Sequence, residues 1–187
     1  MGCLLMSKIQ KQSRRVRLFF QCLLALTPMM VCYYWLTVET SYDFLTSLGV
    51  IQLSYNFDSY TQLPFTMTTR VLSAMASLLL CSIIMYALTL LIRLFRNYEG
   101  NDIFSLDNAA IFQKLGYCLF FWVGGSIVYG ALMSVILSFN NPPGERILTV
   151  SFVGMDFLTL VFGFIVLIIS WVMKEGYTLA DENSHTI

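Results

Sequence analysis

Charge is what this sequence has least of. Lys and Arg number 11 and Asp and Glu 11, together 12% of 187 residues, where an ordinary soluble domain carries about 25%. The formal net charge is +0, so there is no basic surface on which nucleic acid could dock directly. There is one histidine, His185, close to the end of a polar tail. A metal site needs three or four convergent ligands, so His185 reads as a solvated side chain. P-loop, dinucleotide, zinc-protease and nucleophile-elbow motifs are all missing, and no catalytic, cofactor-binding or metal-binding residue is assigned. The five cysteines (Cys3, Cys22, Cys32, Cys81, Cys118) are odd in number and match neither a disulfide framework nor a metal spacing. The start, Met1-Gly2-Cys3, misses the myristoylation pattern at Met6, where Ser or Thr is wanted.

What is abundant is apolar. Hydrophobic residues make up 57% of the chain and mean hydropathy is +0.71. A soluble fold of this size has too little interior to hide so much, so lipid is expected to cover it. Val71 to Ile92 runs for 22 residues without a charge, with Arg70 at one end and Arg93 and Arg96 at the other. At about 1.5 Å per residue it crosses a hydrocarbon core roughly 30 Å thick.

Three further runs of that kind follow from the pattern, at about 19–38, 117–139 and 151–173. The first comes after Lys8, Lys11, Arg14, Arg15 and Arg17, as in a signal peptide. Its apolar stretch is too long for one, however, and no small-residue cleavage site follows. It reads as a retained span, kinked at Pro28, with Tyr33, Tyr34 and Trp35 as an interfacial belt. Residues 39–69 form an aromatic, acidic extracytoplasmic loop. In it Phe44, Leu45, Leu48 and Ile51 are spaced for one helical face; the loop is a lid packed on the helices or a ligand-sensing segment. Residues 93–116 form a connector with a turn at Gly100-Asn101-Asp102 and a short helix from Leu106. That helix either lies near the surface or runs into the third span. Ser105 suits its N-cap, and Asp107 and Asn108 its first turn. Residues 174–187 are a polar tail.

Small residues recur every four positions at Ser126, Gly130, Ser134 and Ser138, and at Ser73, Ser77 and Cys81. Such ladders let helices approach closely in lipid. A pore lining is the other reading, although serine hydroxyls can bond back to their own helix. Tyr86 and Tyr129 lie mid-span, and their hydroxyls are expected to face other helices. The one ionisable residue within a span is Asp156, near the start of the fourth; intramembrane carboxylates are functional candidates by default, but this close to the outer headgroups a structural or interfacial role is the leading reading and a proton or ion role the other.

Placing both termini and the middle connector on one side puts Lys8, Lys11, Arg14, Arg15, Arg17, Arg93, Arg96, Lys114 and Lys174 there, against Arg70 and Arg146 on the other. The positive-inside rule makes that side cytoplasmic. The expected fold is an all-α membrane protein, a four-transmembrane-helix bundle with both termini inside.

Two stretches carry a resemblance. One is Tyr98-x-Gly100-x-x-x-Phe104-Ser105-x-x-Asn108, continuing to Leu115-Gly116. The other runs from Trp171 through Lys174-Glu175-Gly176-Tyr177-x-Leu179-x-Asp181-Glu182-Asn183 to Thr186-Ile187. In this order and separation they resemble a family of bacterial four-span membrane proteins catalogued as a domain of unknown function, numbered 2975. The resemblance covers roughly residues 65–187 and fits the first span more loosely. It implies a multi-pass protein of the bacterial inner membrane. Family members are often encoded beside a small helix-turn-helix regulator, so it also implies a transcriptional regulator as cytoplasmic partner. Ser184-His185 departs from the charged or apolar pair usual there. The resemblance lends no catalytic residue.

The leading expectation is therefore a non-enzymatic protein that binds a partner, senses or regulates from the membrane. Its docking candidates are Gly100, Phe104, Ser105, Asn108, Gly116, Glu175, Gly176, Leu179, Glu182, Asn183, Thr186 and Ile187. The alternative is a small oligomeric transporter or channel built around Asp156, Pro28 and the small-residue faces.

Overall fold

A computed structural model describes residues 2–38, 40, 42, 59–61, 63–100 and 102–184. Among the described residues there are four helices and no strand: α1 (Gly2–Thr37), α2 (Met67–Glu99), α3 (Leu106–Ser138) and α4 (Gly154–Ser184). All four are long and apolar enough to cross a bilayer. They contain 31 to 36 residues, or about 46–54 Å of helix, which exceeds a hydrocarbon core of roughly 30 Å. Each apolar run is thus part of a longer helix with a polar extension. α1 continues unbroken past Pro28. The predicted stripe of Phe44, Leu45, Leu48 and Ile51 lies outside the described residues.

Of the two courses open to the helix from Leu106, it takes the second and runs into the third span, ending at Ser138; the boundary that differs from the sequence reading is the start of the fourth helix. Nothing between Lys114 and Tyr117 breaks it, because Gly116 sits mid-helix in a close packing contact. The fourth helix begins at Gly154 rather than Ser151, because Asp156 fixes its start. Val153 N–H donates to Asp156 Oδ2 at 2.9 Å. This is the reach-back of a third-position carboxylate to the N-cap amide, at the helix end where negative charge is favoured.

The chain divides into two compact units. The first comprises Met1–Ala25, Ile83–Val123 and Val153–Ile187. Its core is Leu90, Leu94, Ile111 and Cys118. α1 is tied to the end of α2 by the Arg17–Glu99 ion pair at 2.8 Å, by Gln10 Nε2 donating to Glu99 O at 3.1 Å, and by the Phe20 and Phe95 rings 5.6 Å apart. α3 and α4 run antiparallel. Ser170 Oγ donates to Ala109 O at 2.7 Å, and Phe120 meets Phe164 edge-on at 5.0 Å. A Cβ built on Gly116 would stand 2.7 Å from Leu167 Cδ2 and 3.3 Å from Gly163 O, so only glycine permits this approach. Much of α4 is uncovered: Phe157, Phe162, Phe164, Ile168 and Trp171 are all exposed. In water such a face would be costly; against acyl chains it is not.

The second unit comprises Leu26–Ser82 and Gly124–Phe152, around Tyr34, Trp35, Val38, Met133 and Leu137. Arg70 closes the end of α1. Its guanidinium donates to the carbonyls of Trp35, Leu36 and Val38 at 3.2, 3.4 and 2.7 Å, at the helix end where backbone carbonyls face outward. Ser77 links three helices: Trp35 Nε1 donates to its hydroxyl at 2.8 Å, and that hydroxyl lies 2.9 Å from the Tyr129 hydroxyl. Tyr129 is thus turned toward other helices as expected. Tyr86, by contrast, is half exposed, on the outward face of α2.

The small-residue ladder of α3 splits in two. A Cβ at Gly130 would meet nothing within 4 Å, whereas Ser134 and Ser138 are fully buried. What buries them includes the extended segment after the loop. Ile147 N–H donates to Ser138 Oγ at 3.0 Å and Thr149 N–H to Ser134 Oγ at 3.1 Å. Four residues of helix rise about 6 Å and two of extended chain about 6.6 Å. Hydroxyls one turn apart therefore match alternate amides of a strand-like segment. The same hydroxyls donate back to Ala131 O and Ser134 O.

Candidate functional site

The residues shared by the first sequence motif converge where α2 gives way to α3. α2 ends at Gly100, whose N–H donates to Arg96 O and Asn97 O at 3.2 and 3.0 Å, and Asp102 N–H adds a third bond to Asn97 O at 3.1 Å. Ser105 caps α3: its Oγ accepts from Asn108 N–H at 3.3 Å, the N-cap to third-position bond expected of serine.

Asn108 is the centre of the arrangement and is fully buried. Its Nδ2 donates to Asp102 O at 2.6 Å and Ile103 O at 3.0 Å, and its Oδ1 accepts from Asn97 Nδ2 at 2.8 Å. The sequence reading placed Asn108 in the first turn as an acceptor for exposed amides. Its side chain instead turns inward and fastens the connector's own carbonyls. Asn97 also donates to Asp107 Oδ2 at 3.0 Å, and Arg93 grips both Asp107 oxygens at 2.8 and 3.1 Å. That ion pair is about half exposed on both sides, so it contributes little energy and mostly sets geometry.

With the backbone on both sides fastened, the connector presents Phe104 outward at 79% exposure. A single exposed aromatic is ordinary by itself; what sets Phe104 apart is the fastened backbone that holds it, since aromatics are enriched among the residues that anchor interfaces.

The second motif stays helical. α4 continues past Lys174 to Ser184, with Glu175, Gly176, Leu179 and Glu182 exposed along it. Only the backbone of Asn183 is described, and Thr186 and Ile187 lie outside the described residues. Gly116 belongs to neither surface; it is the close-packing point of α3 on α4. The structure therefore joins Gly100, Ser105 and Asn108 into one network, displays Phe104 from it, and leaves the tail residues on a separate helical face. Asp156 is half-buried and serves the helix start.

Sequence reasoning missed Asn97, Arg17 with Glu99, and Ser170. Asn97 sits eleven residues before Asn108 with a turn signal between, and that spacing could have flagged it. The other two pairings join residues distant in sequence and carry no local signal. Among the described residues, no group of three His, Cys, Asp or Glu side chains comes together.

The family model described as "Protein of unknown function (DUF2975)" matches residues 53–187. This takes in α2, α3, α4 and both motifs and leaves α1 outside. No curated protein and no solved structure is a match to the chain.

Proposed function

The chain belongs to the family described as protein of unknown function (DUF2975), and from that premise we propose that it is a multi-pass membrane protein that docks a soluble partner on its cytoplasmic face. It acts as a non-enzymatic anchor or sensor. The observation that carries this reading is Phe104, held outward on a connector whose carbonyls are fastened by buried Asn108. A rigid support and an exposed aromatic are what an interface anchor needs. The cation distribution supports placing this connector, both termini and the exposed end of α4 in the cytoplasm. Family resemblance adds the bacterial inner membrane as location and a small helix-turn-helix regulator as the class of partner.

Crosslinked affinity purification in mild detergent tests the proposal, comparing the 187-residue chain with Phe104→Ala and with a chain ending at Met173. A soluble regulator captured by the parent and lost from either variant supports it. Loss of an anchoring aromatic is expected to weaken binding about 30-fold. Retention of the regulator by both variants overturns it, as does recovery of the protein alone in a discrete oligomer.

A further inference from the structure

Residues 8–17 hold five cations and no acid, and the structure sorts them by face. Gln10, Ser13, Arg17 and Phe20 turn toward α2. Ser13 is buried, Arg17 is paired with Glu99, Gln10 bonds the Glu99 carbonyl, and Phe20 packs on Phe95. Lys8, Lys11, Arg14 and Arg15 are all exposed. Among the described residues none of the four is in an ion pair, unlike Arg17 with Glu99 and Arg93 with Asp107.

The exposed cations line up with lipid-type surface. Positions 8, 11, 15, 18 and 22 alternate by three and four and so share one helical face, and exposed Arg14 flanks it, about 100° round the helix from Arg15. Along that face Lys8, Lys11 and Arg15 give way to Leu18 at 50% exposure and to exposed Cys22, with Phe19 beside them at 59%. The change from cation to apolar takes one turn, about 5 Å. The headgroup layer of one leaflet is about 5–8 Å thick.

We propose that this face of α1 binds the anionic headgroups of phospholipids in the surrounding leaflet. The proposal rests on the membrane reading given above. Charge complementarity selects anionic over zwitterionic lipid. The unbroken passage from cations to exposed apolar residues on one face selects lipid over a soluble anion, since one phospholipid presents both chemistries in the same order. The long aliphatic stems of Lys and Arg let their heads settle at the phosphates. Depth grades the contributions. Arg14 and Arg15 lie within the headgroup layer. Lys11 reaches down to it, and Lys8 stands about 10 Å beyond Arg15, near one Debye length, and contributes least.

The test is native mass spectrometry of the 187-residue chain released from nanodiscs of mixed phosphatidylglycerol and phosphatidylcholine, counting retained lipids of each kind. The parent is expected to retain phosphatidylglycerol preferentially, and each neutralised cation near the surface to lower that preference about fivefold. Arg14→Gln with Arg15→Gln therefore has a large effect, Lys8→Gln a small one, and Arg14→Lys with Arg15→Lys nearly none. An unchanged preference in the Arg14→Gln, Arg15→Gln protein overturns the proposal. So does a Lys8→Gln effect as large as theirs, or displacement of the lipid by inorganic phosphate. Failure of the membrane reading shows separately, as release of the parent protein from membranes by alkaline carbonate before any lipid is counted.

Discussion

The side-chain amide of Asn97 on α2 donates to the side-chain carbonyl of Asn108 on α3 at 2.8 Å. Two residues at the ends of consecutive helices thereby settle which way the buried carboxamide points, and its own N–H groups are left for the carbonyls of Asp102 and Ile103.

Asn108→Ala should therefore do more than remove one bond. It leaves two connector carbonyls and the Asn97 amide short of partners, at a cost of about 2–3 kcal/mol. Asn108→Asp should be no better, because a carboxylate facing two carbonyls has nothing to donate. Asn97→Ala should cost less, about 1 kcal/mol, since of the two acceptors it leaves, only Asn108 Oδ1 is buried, while Asp107 is half exposed and keeps Arg93. Thermal unfolding of the detergent-solubilised protein ranks the three; equal melting points for parent and Asn108→Ala would contradict the network.

Glycines in α3 should respond with opposite sign. At Gly116 an added methyl meets Leu167 at 2.7 Å, and overpacking of this kind destabilises by about 1–3 kcal/mol. At Gly130 the same methyl meets nothing within 4 Å, and replacing a mid-helix glycine by alanine stabilises by about 0.5–1 kcal/mol. The check is the pair of melting temperatures: Gly116→Ala below the parent and Gly130→Ala above it.

Serine-to-alanine changes should act locally. Ser138→Ala frees the Ile147 amide, and Ser134→Ala the Thr149 amide. Hydrogen exchange at each freed amide is expected to speed up about fivefold, the equivalent of roughly 1 kcal/mol. Exchange at the other amide should change less. If both amides exchange at parental rates in both variants, the segment is held by something else.

Apolar length and helix caps were legible in the sequence because each depends on neighbours along the chain. Four long apolar helices follow from uncharged runs, and Ser105 announced itself as a cap through its position before a helical pattern. Partner choice was not legible. Ser134 and Ser138 read as a helix-packing stripe, and their spacing suits that as well as it suits the alternate amides of Ile147 and Thr149; only the path of the intervening loop decides. Tyr86 and Tyr129 look alike in sequence, yet one finds Ser77 and the other faces outward. That difference is a helix rotation, which apolar runs on every face leave unspecified. Asp156, read as a carboxylate near the outer end of the fourth span, is in the structure the side chain that caps a helix starting at Gly154.

The cap formed by Val153 and Asp156 also says where this chain can tolerate a change of length. A residue inserted between Val150 and Val153 falls between two fixed points, the Thr149 amide and the cap, and is absorbed as slack. A residue inserted between Asp156 and Gly163 turns everything after it by about 100°, carrying Gly163, Leu167 and Ser170 off the surface of α3. Length variation among related sequences should therefore collect on one side of Val153 and stop at the other.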